Sequence, residues 1–315
     1  GVSPPGVFLV GAKGLGKTHL LGAVRREVWH RGGYFFLVEL LDGQTFWPCV
    51  VSALLDGLMR ALPDGRRQID VWAERLAGRF GFAPESGEYG FLAGPHFRPE
   101  LVTTLINRFR ANRLNGLRMP SGQKGFDIED VLRALILLKS DHPQASVGEL
   151  LLLGQSIEDE QRQALGFTRP ALGGQACVAA LSWLLGLTGA SVIAFDQLDV
   201  LLDTLAVAGQ PNQLPQIAHG LMDMKEHTTA TLTLVSCFPE TMSYIEKETV
   251  GAFRDRFRAA PVTLVRRIEG PMAREIVARR LAPGNARAGF VPPYPTWPVA
   301  ESAFTVPSLS PCSIA

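Results

Sequence analysis

Residues Gly11–Thr18 read GAKGLGKT, a G-x-x-x-x-G-K-T spacing. That spacing belongs to one local arrangement: a strand, a glycine loop, and a helix that opens directly from the loop. The flanks supply the other two parts. Val7–Val10 (VFLV) is an apolar run of strand length, and His19–Trp29 reads as helix. Gly11, Gly14 and Gly16 let the loop curl its backbone N–H groups inward around phosphate oxygens. A helix starting near Lys17 points the positive end of its dipole at the same place. The Lys17 ammonium can reach β- and γ-phosphates, and the Thr18 hydroxyl can ligate Mg²⁺. Ala12, Lys13, Leu15 and His19 complete the candidate cradle. The competing reading is a glycine-rich turn with a chance Lys-Thr. Strand and helix in the required order favour phosphate binding.

A chain of 315 residues accommodates one large or two modest domains, and its near-neutral charge of +1 gives no global pull towards nucleic acid or membrane. Cys49, Cys177, Cys237 and Cys312 are far apart and form no C-x-x-C. This argues against a zinc site or a disulfide framework and fits a reducing cytoplasm. His96 and His219 are isolated and make poor metal candidates. The apolar runs Leu132–Leu138 and Ala179–Leu187 are too short to span a bilayer, and no signal-peptide pattern is visible. With no initiator Met and a Pro/Ser-rich end, the sequence is expected to be a piece of a longer protein.

Tyr34–Leu40 (YFFLVEL) is a second strand after the Gly32-Gly33 stop, which predicts a strand–helix–strand unit and a parallel sheet. Phe46–Leu62 reads as helix. From Pro63 to Gly189 no clear strand occurs. Helical patterns cover Val71–Phe80, Pro99–Arg113, Ile128–Lys139, Val147–Leu153, Ile157–Leu165 and Cys177–Leu187, with loops at Ala83–Pro95 and Leu117–Gly125. Such a stretch is too long for a plain crossover and reads as a helical insertion. Strand character returns at Ser191–Asp196, Thr231–Cys237 and Pro261–Val265, with helices at Pro215–Glu226, Pro239–Val250 and Pro271–Leu281. The expected division is 1–62 and 191–268 for the two parts of the sheet core, 63–190 for the insertion, and 269–315 for a partial lid and irregular tail.

Val192–Asp199, VIAFDQLD, has the Walker B form, a buried strand ending in Asp. Asp196 then emerges at the carboxyl edge of the sheet, where open α/β sheets bind ligands, and is a candidate Mg²⁺ ligand. The alternative is a strand ending at a turn-forming Asp. Further candidates are Ser236 at the end of LTLVSC and the arginines of Gly251–Arg258, GAFRDRFR. For Ser236 the alternative is a strand end meeting solvent. For Arg254 and Arg258 it is a salt-bridged helix end with Asp255. In the insertion, Arg108, Arg110, Arg113, Arg118 and Lys124 surround Phe109 and Asn112. Such a cluster can bind DNA phosphates, but an ordinary solvated helix face is the favoured reading.

In their order along the chain, GAKGLGKT, VIAFDQLD, LTLVSC, and RDRF before APVTL resemble the AAA+ and STAND side of the P-loop ATPases. The resemblance covers roughly Val7–Glu39 and Ser191–Leu281. It implies an α/β three-layer P-loop NTPase with a parallel sheet in AAA+-like order, Thr231–Cys237 lying between the P-loop strand and the Walker B strand. It implies ATP and Mg²⁺ as cofactors, with adenine preferred, since no N/T-K-x-D guanine signature appears. It also implies a homo-oligomer or larger complex. Ser236 would sense the γ-phosphate or orient water, and Arg256 would act as an arginine finger on a neighbour's nucleotide. PMAREIVARRL (Pro271–Leu281) resembles the first lid helix, and Leu152–Gly166 is faintly similar to segments of BREX-type phage-defence ATPases. The chain departs from the AAA+ pattern at Gln197, where Glu normally activates water, and no lid sensor arginine occurs in SLSPCSIA. A neutral amide orients water but does not take its proton. Asp199 is the candidate stand-in, so either Asp199 or Gln197 positions the water. An ATP-hydrolysing machine, with DNA or defence as its setting, and a slow nucleotide-gated switch both remain open. A small-molecule kinase is disfavoured for want of a substrate lid.

Overall fold

The computed structural model describes residues 4–39, 46–111, 123–199, 213–249, 255–257, 261–264 and 270–305. The chain is α/β. Strands β1 (Val7–Val10), β2 (Tyr34–Glu39), β3 (Ser191–Asp196), β4 (Thr231–Cys237) and β5 (Val262–Thr263) form a five-stranded sheet in the order β2-β3-β4-β1-β5. Every pairing is parallel. Thr231–Cys237 therefore does lie between the glycine-loop strand and the strand ending at Asp196. The register sets Leu9 against Ser236 and Val10 against Cys237, so the ends of β1, β3 and β4 share one edge.

Helix α1 (Lys17–His30) covers one face, where Leu21 packs with Leu9, Phe35, Val192, Ala194 and Leu234. The other face carries a much deeper helical layer: α2 (Phe46–Met59), α3 (Gln68–Arg79), α4 (Gly87–Ala93), α5 (Pro99–Ala111), α6 (Gln123–Lys139), α7 (Ala145–Leu152), α8 (Asp159–Leu165), α9 (Gly174–Gly186), α10 (Gln213–His227) and α11 (Pro239–Glu248). One apolar cluster runs from Phe36, Phe195 and Val235 on the sheet through Leu58 and Trp72 to Leu132 and Leu151. Burial on both faces explains why β3 reads as a nearly continuous apolar run; β4 is buried as well but carries Thr231, Thr233 and Ser236 among its apolar residues. Helix α12 (Gly270–Arg287) and a short 3₁₀ turn at Glu301–Phe304 follow β5. No described helix is long and apolar enough to cross a membrane.

Strand β2 is the sheet edge, and Gln68 closes part of it. Its buried amide accepts from Phe35 N (3.1 Å) and Trp29 Nε1 (3.2 Å), and donates to Phe35 O (3.3 Å) and Gly57 O (2.6 Å). An unpaired edge strand is thereby given the partners that another strand would supply.

Three helical stretches differ from expectation. Ala83–Pro95 contains α4, which hides in the glycine-rich GEYGFLA. Ser86 Oγ accepts the Tyr89 N–H (3.1 Å), and Phe91 and Leu92 are buried, so a cap and two anchors outweigh the glycines. Helix α6 begins at Gln123, inside the expected loop Leu117–Gly125, of which residues 117–122 lie outside the described residues. Helix α12 continues through Pro283 to Arg287. Pro283 removes the N–H that Arg279 O would accept, but Arg279 is exposed, where water can satisfy its carbonyl.

Candidate functional site

The glycine loop sits at the carboxyl edge of β1. Its backbone needs left-handed φ angles at Gly14 (81°) and Gly16 (87°), a region where a Cβ would be strained. Gly16 caps α1 without a side chain, and no acidic residue occupies the first turn. The opening N–H groups of α1 are therefore not engaged by a cap, and the dipole field there favours an anion. Lys17 Nζ donates to Gly11 O (2.6 Å) and Ala12 O (3.3 Å), and lies 4.4 Å from the Phe238 ring centroid. The ammonium is thus held over the loop by two carbonyls and an aromatic face.

Strand β4 separates β1 from β3 by two strand spacings, about 9.6 Å. The loop bridges the gap: Gly11 N donates to Cys237 O at 3.2 Å, and Thr18 Oγ1 donates to Asp196 Oδ2 at 2.8 Å. Asp196 is 4% exposed. Two hard oxygens thus meet from segments 178 residues apart in sequence. Mg²⁺ commonly takes one or two protein oxygens and fills its shell with water and phosphate, so Thr18 and Asp196 fit it. Among the described residues, no group of three or more His, Cys, Asp or Glu forms a metal-ligating cluster.

The chain turns sharply after Asp196. Gln197 is exposed and has φ 58°, a strained conformation for a non-glycine residue. The turn sends Leu198 and Asp199 back into the protein. Asp199 Oδ1 accepts Phe238 N (2.7 Å) and Thr241 Oγ1 (2.6 Å). Phe238, the N-cap residue of α11, has no polar side chain, so Asp199 caps that helix from the segment after β3. Asp199→Ala is expected to lower unfolding free energy by about 1–3 kcal/mol, because it strands a buried N–H and hydroxyl. Asp199→Asn keeps an acceptor and should lose less than about 1 kcal/mol in urea unfolding. If Asp199 instead serves as the base, the Asn variant keeps its stability and loses turnover.

Ser236 is fully buried, and its hydroxyl has no hydrogen-bond partner among the described residues. It lies level with Leu9, one residue before the carboxyl end of β4. A buried hydroxyl with no partner among the described residues is a donor and acceptor open to another group. Cys237, next in the strand, is fully buried as well. Burial, reinforced by the negative charge of Asp199, pushes its thiol up to about 12. Burial also raises the Cys177 thiol. Because the thiolate is the reactive form, a Cys49→Ser/Cys312→Ser variant should show no thiol reaction at about pH 8 until denaturant is added. Rapid labelling of the folded variant would contradict this packing.

Arg256 is not brought to the loop. Gly6 N donates to Arg256 O (2.7 Å) at the start of β1, so this residue occupies the opposite edge of the sheet. Its guanidinium pairs with Glu226 of α10. Arg254 and Arg258 lie outside the described residues. His19, by contrast, is contacted from the C-terminal segment, by the guanidinium of Arg280 in α12. In the insertion, Arg110 forms a two-pronged bond with Glu129, at 2.5 Å for each prong. Lys124 lines a cavity beside α9. Asn112, Arg113 and Arg118 lie outside the described residues, and Phe109 is core, 2% exposed.

The structure thus gathers Lys17, Thr18, Asp196, Gln197 and Ser236 at one edge, sets Asp199 behind them, and leaves Arg256 at the far edge. It adds Phe238, Thr241 and Arg280, which the sequence reading did not single out. Phe238 directly follows the strand ending in Ser236 and Cys237, a positional signal; nothing local marks Thr241 or Arg280. No family model, curated protein or solved structure matches the chain.

Proposed function

We propose that the chain is an ATP-binding P-loop NTPase of three-layer, AAA+-like architecture. The observation that carries this reading is the 2.8 Å bond from Thr18 Oγ1 to Asp196 Oδ2. It joins the two motifs that nucleotide-binding P-loops combine, across an intervening strand. In this reading the loop amides and Lys17 hold the phosphates, and Thr18 and Asp196 hold Mg²⁺. Bound Mg²⁺ would neutralise phosphate charge and orient the γ-phosphate. Ser236 offers its unsatisfied hydroxyl to the phosphate or to water. Gln197 orients water at the mouth of the site. The strand order supports the AAA+-like form, as does the position of Arg256, which is too far round the sheet to serve its own loop. Arg256 would act on a neighbouring copy, which makes the functional unit a homo-oligomer. The deciding measurement is ATP binding by calorimetry with and without Mg²⁺, alongside steady-state hydrolysis. Asp196→Ala should abolish the Mg²⁺ dependence. Binding of equal strength for wild type and variant at every Mg²⁺ concentration would rule the reading out.

A second reading, a nucleotide-gated switch with slow turnover, is favoured by one observation. Asp199 Oδ1 is committed to the N-terminus of α11, and Gln197 is neutral. Asp199 is also 7% exposed, so its carboxylate is poorly placed to take a proton from water, and the Gln197 amide takes none. Gln197→Glu places a carboxylate directly after Asp196 and should raise turnover about tenfold or more at similar ATP affinity. Unchanged turnover would remove the argument for a base-limited site.

A further inference from the structure

A lysine ammonium has three N–H donors and no acceptor. Lys17 Nζ meets two carbonyls, Gly11 O (2.6 Å) and Ala12 O (3.3 Å), and its third neighbour is the Phe238 ring, whose centroid lies 4.4 Å away. A phosphate oxygen can take a donor from Nζ only if one of these partners gives way. The ring is the weakest of the three, because it offers a quadrupole rather than a lone pair. It is the partner that a phosphate oxygen displaces at least cost.

The backbone of Phe238 is pinned on both sides. Phe238 N donates to Asp199 Oδ1 (2.7 Å), and Phe238 O accepts Met242 N (3.1 Å). The preceding carbonyl, Cys237 O, accepts Gly11 N (3.2 Å) and ties this corner to the glycine loop. Phe238 is also an unusual residue for its place. An N-cap position favours a short side chain with an oxygen, and α11 takes that oxygen from Asp199 instead. The position is thereby left to carry an aromatic ring beside the loop lysine.

We propose that Phe238 is a positioning residue for Lys17: its ring competes with phosphate oxygens for the ammonium and so sets how tightly nucleotide binds. This role rests on the nucleotide reading above. Nucleotide engages the fraction of molecules whose ammonium has left the ring, so the contact lowers apparent affinity by that fraction. Removing the ring should therefore tighten binding, the opposite of what damage to a site does.

The contact itself is tested without nucleotide, by nuclear magnetic resonance on protein isotope-labelled at lysine Cε. The ring current should shift the Lys17 ε-methylene protons upfield, with Lys17→Arg assigning the signal. Phe238→Leu should move the signal back downfield, and an unmoved signal overturns the contact. Calorimetry then measures Mg²⁺–ATP binding. Phe238→Leu should tighten it about two- to fivefold, the size of a cation–π contact that is partly exposed to water. A trifluorinated phenylalanine at the same position keeps the ring but drains electron density from its face, so it should tighten binding as well. Equal or weaker binding in either variant overturns the role. In a Lys17→Ala background, Phe238→Leu should leave affinity unchanged, since the partner is gone. A gain of the same size there overturns the role, because the ring would then act by another route. Thermal melts of each variant confirm folding. A wild type that binds no ATP removes the nucleotide reading and this role with it. ATP binding that ignores the ring removes this role alone.

Discussion

Lys17→Ala is expected to weaken Mg²⁺–ATP binding by about 100-fold or more, a loss of roughly 2.7 kcal/mol. The ammonium already hangs over the loop, bonded to Gly11 O and Ala12 O and poised against the Phe238 ring. Two neutral carbonyls and an aromatic face are weak partners for a full charge, so triphosphate oxygens would displace them readily. The substitution should cost little fold stability, under about 1 kcal/mol, because Lys17 is only half-buried and its partners are neutral. Calorimetry and a thermal melt on the same preparation separate the two effects. Lys17→Arg keeps the charge but replaces a compact ammonium with a planar fork, so it should recover affinity only in part. If Lys17→Ala binds ATP as tightly as wild type, the loop is a glycine-rich turn and the nucleotide reading fails.

Trp72→Ala should destabilise the whole chain by about 3–5 kcal/mol, the cost of removing a fully buried aromatic side chain. Trp72 is 0% exposed, and its Nε1 donates to Leu184 O at 3.2 Å. It belongs to the cluster that joins the sheet residues Phe36 and Phe195 to Leu132 and Leu151 of the helical stretch. The division at 63–190 marks an insertion in the sequence order of strands, but its apolar side chains share a core with the sheet. Urea unfolding, followed by both helical signal and tryptophan fluorescence, should therefore give one coincident transition that moves as a unit. Leu20→Ala, at a site 36% exposed, is the control and should shift stability by less than about 1 kcal/mol. Two separate transitions, with Trp72→Ala affecting only one, would show that the helices fold as an independent unit.

The readable parts of this fold share a property: their chemistry is local. Val7–Val10 and Ser191–Asp196 announce themselves because central parallel strands are buried on both faces and are mostly apolar, and Thr231–Cys237 does so through its β-branched and apolar residues. The glycine loop is readable because left-handed φ angles at Gly14 and Gly16 restrict which residues can stand there. Helix α4 is harder to see. Its glycines argue for a loop, and the Ser86 cap with the packing of Phe91 and Leu92 supports a helix there. The strand order came from a resemblance to a family, since nothing local in the strands states their neighbours.

Asp199 shows where local reading ends. As a carboxylate three residues after Asp196, it looks like chemistry. In the structure its Oδ1 is held by Phe238 N and Thr241 Oγ1, which lie 39 and 42 residues away along the chain. Arg256 shows the same limit. Its sequence context suggests a phosphate-facing guanidinium, whereas the parallel register of Gly6 with the residue beside it places it on the opposite edge of the sheet, against Glu226. The sequence by itself determined the glycine loop, the apolar strands and the residue types of the two oxygens that would suit Mg²⁺, because those depend on residue type at short spacing. Only the tertiary structure decided that Thr18 meets Asp196 across β4, that Lys17 rests on Phe238, and that Asp199 caps α11. Each of those contacts joins segments brought together by strand register and helix packing, and no spacing along the chain encodes such a distance.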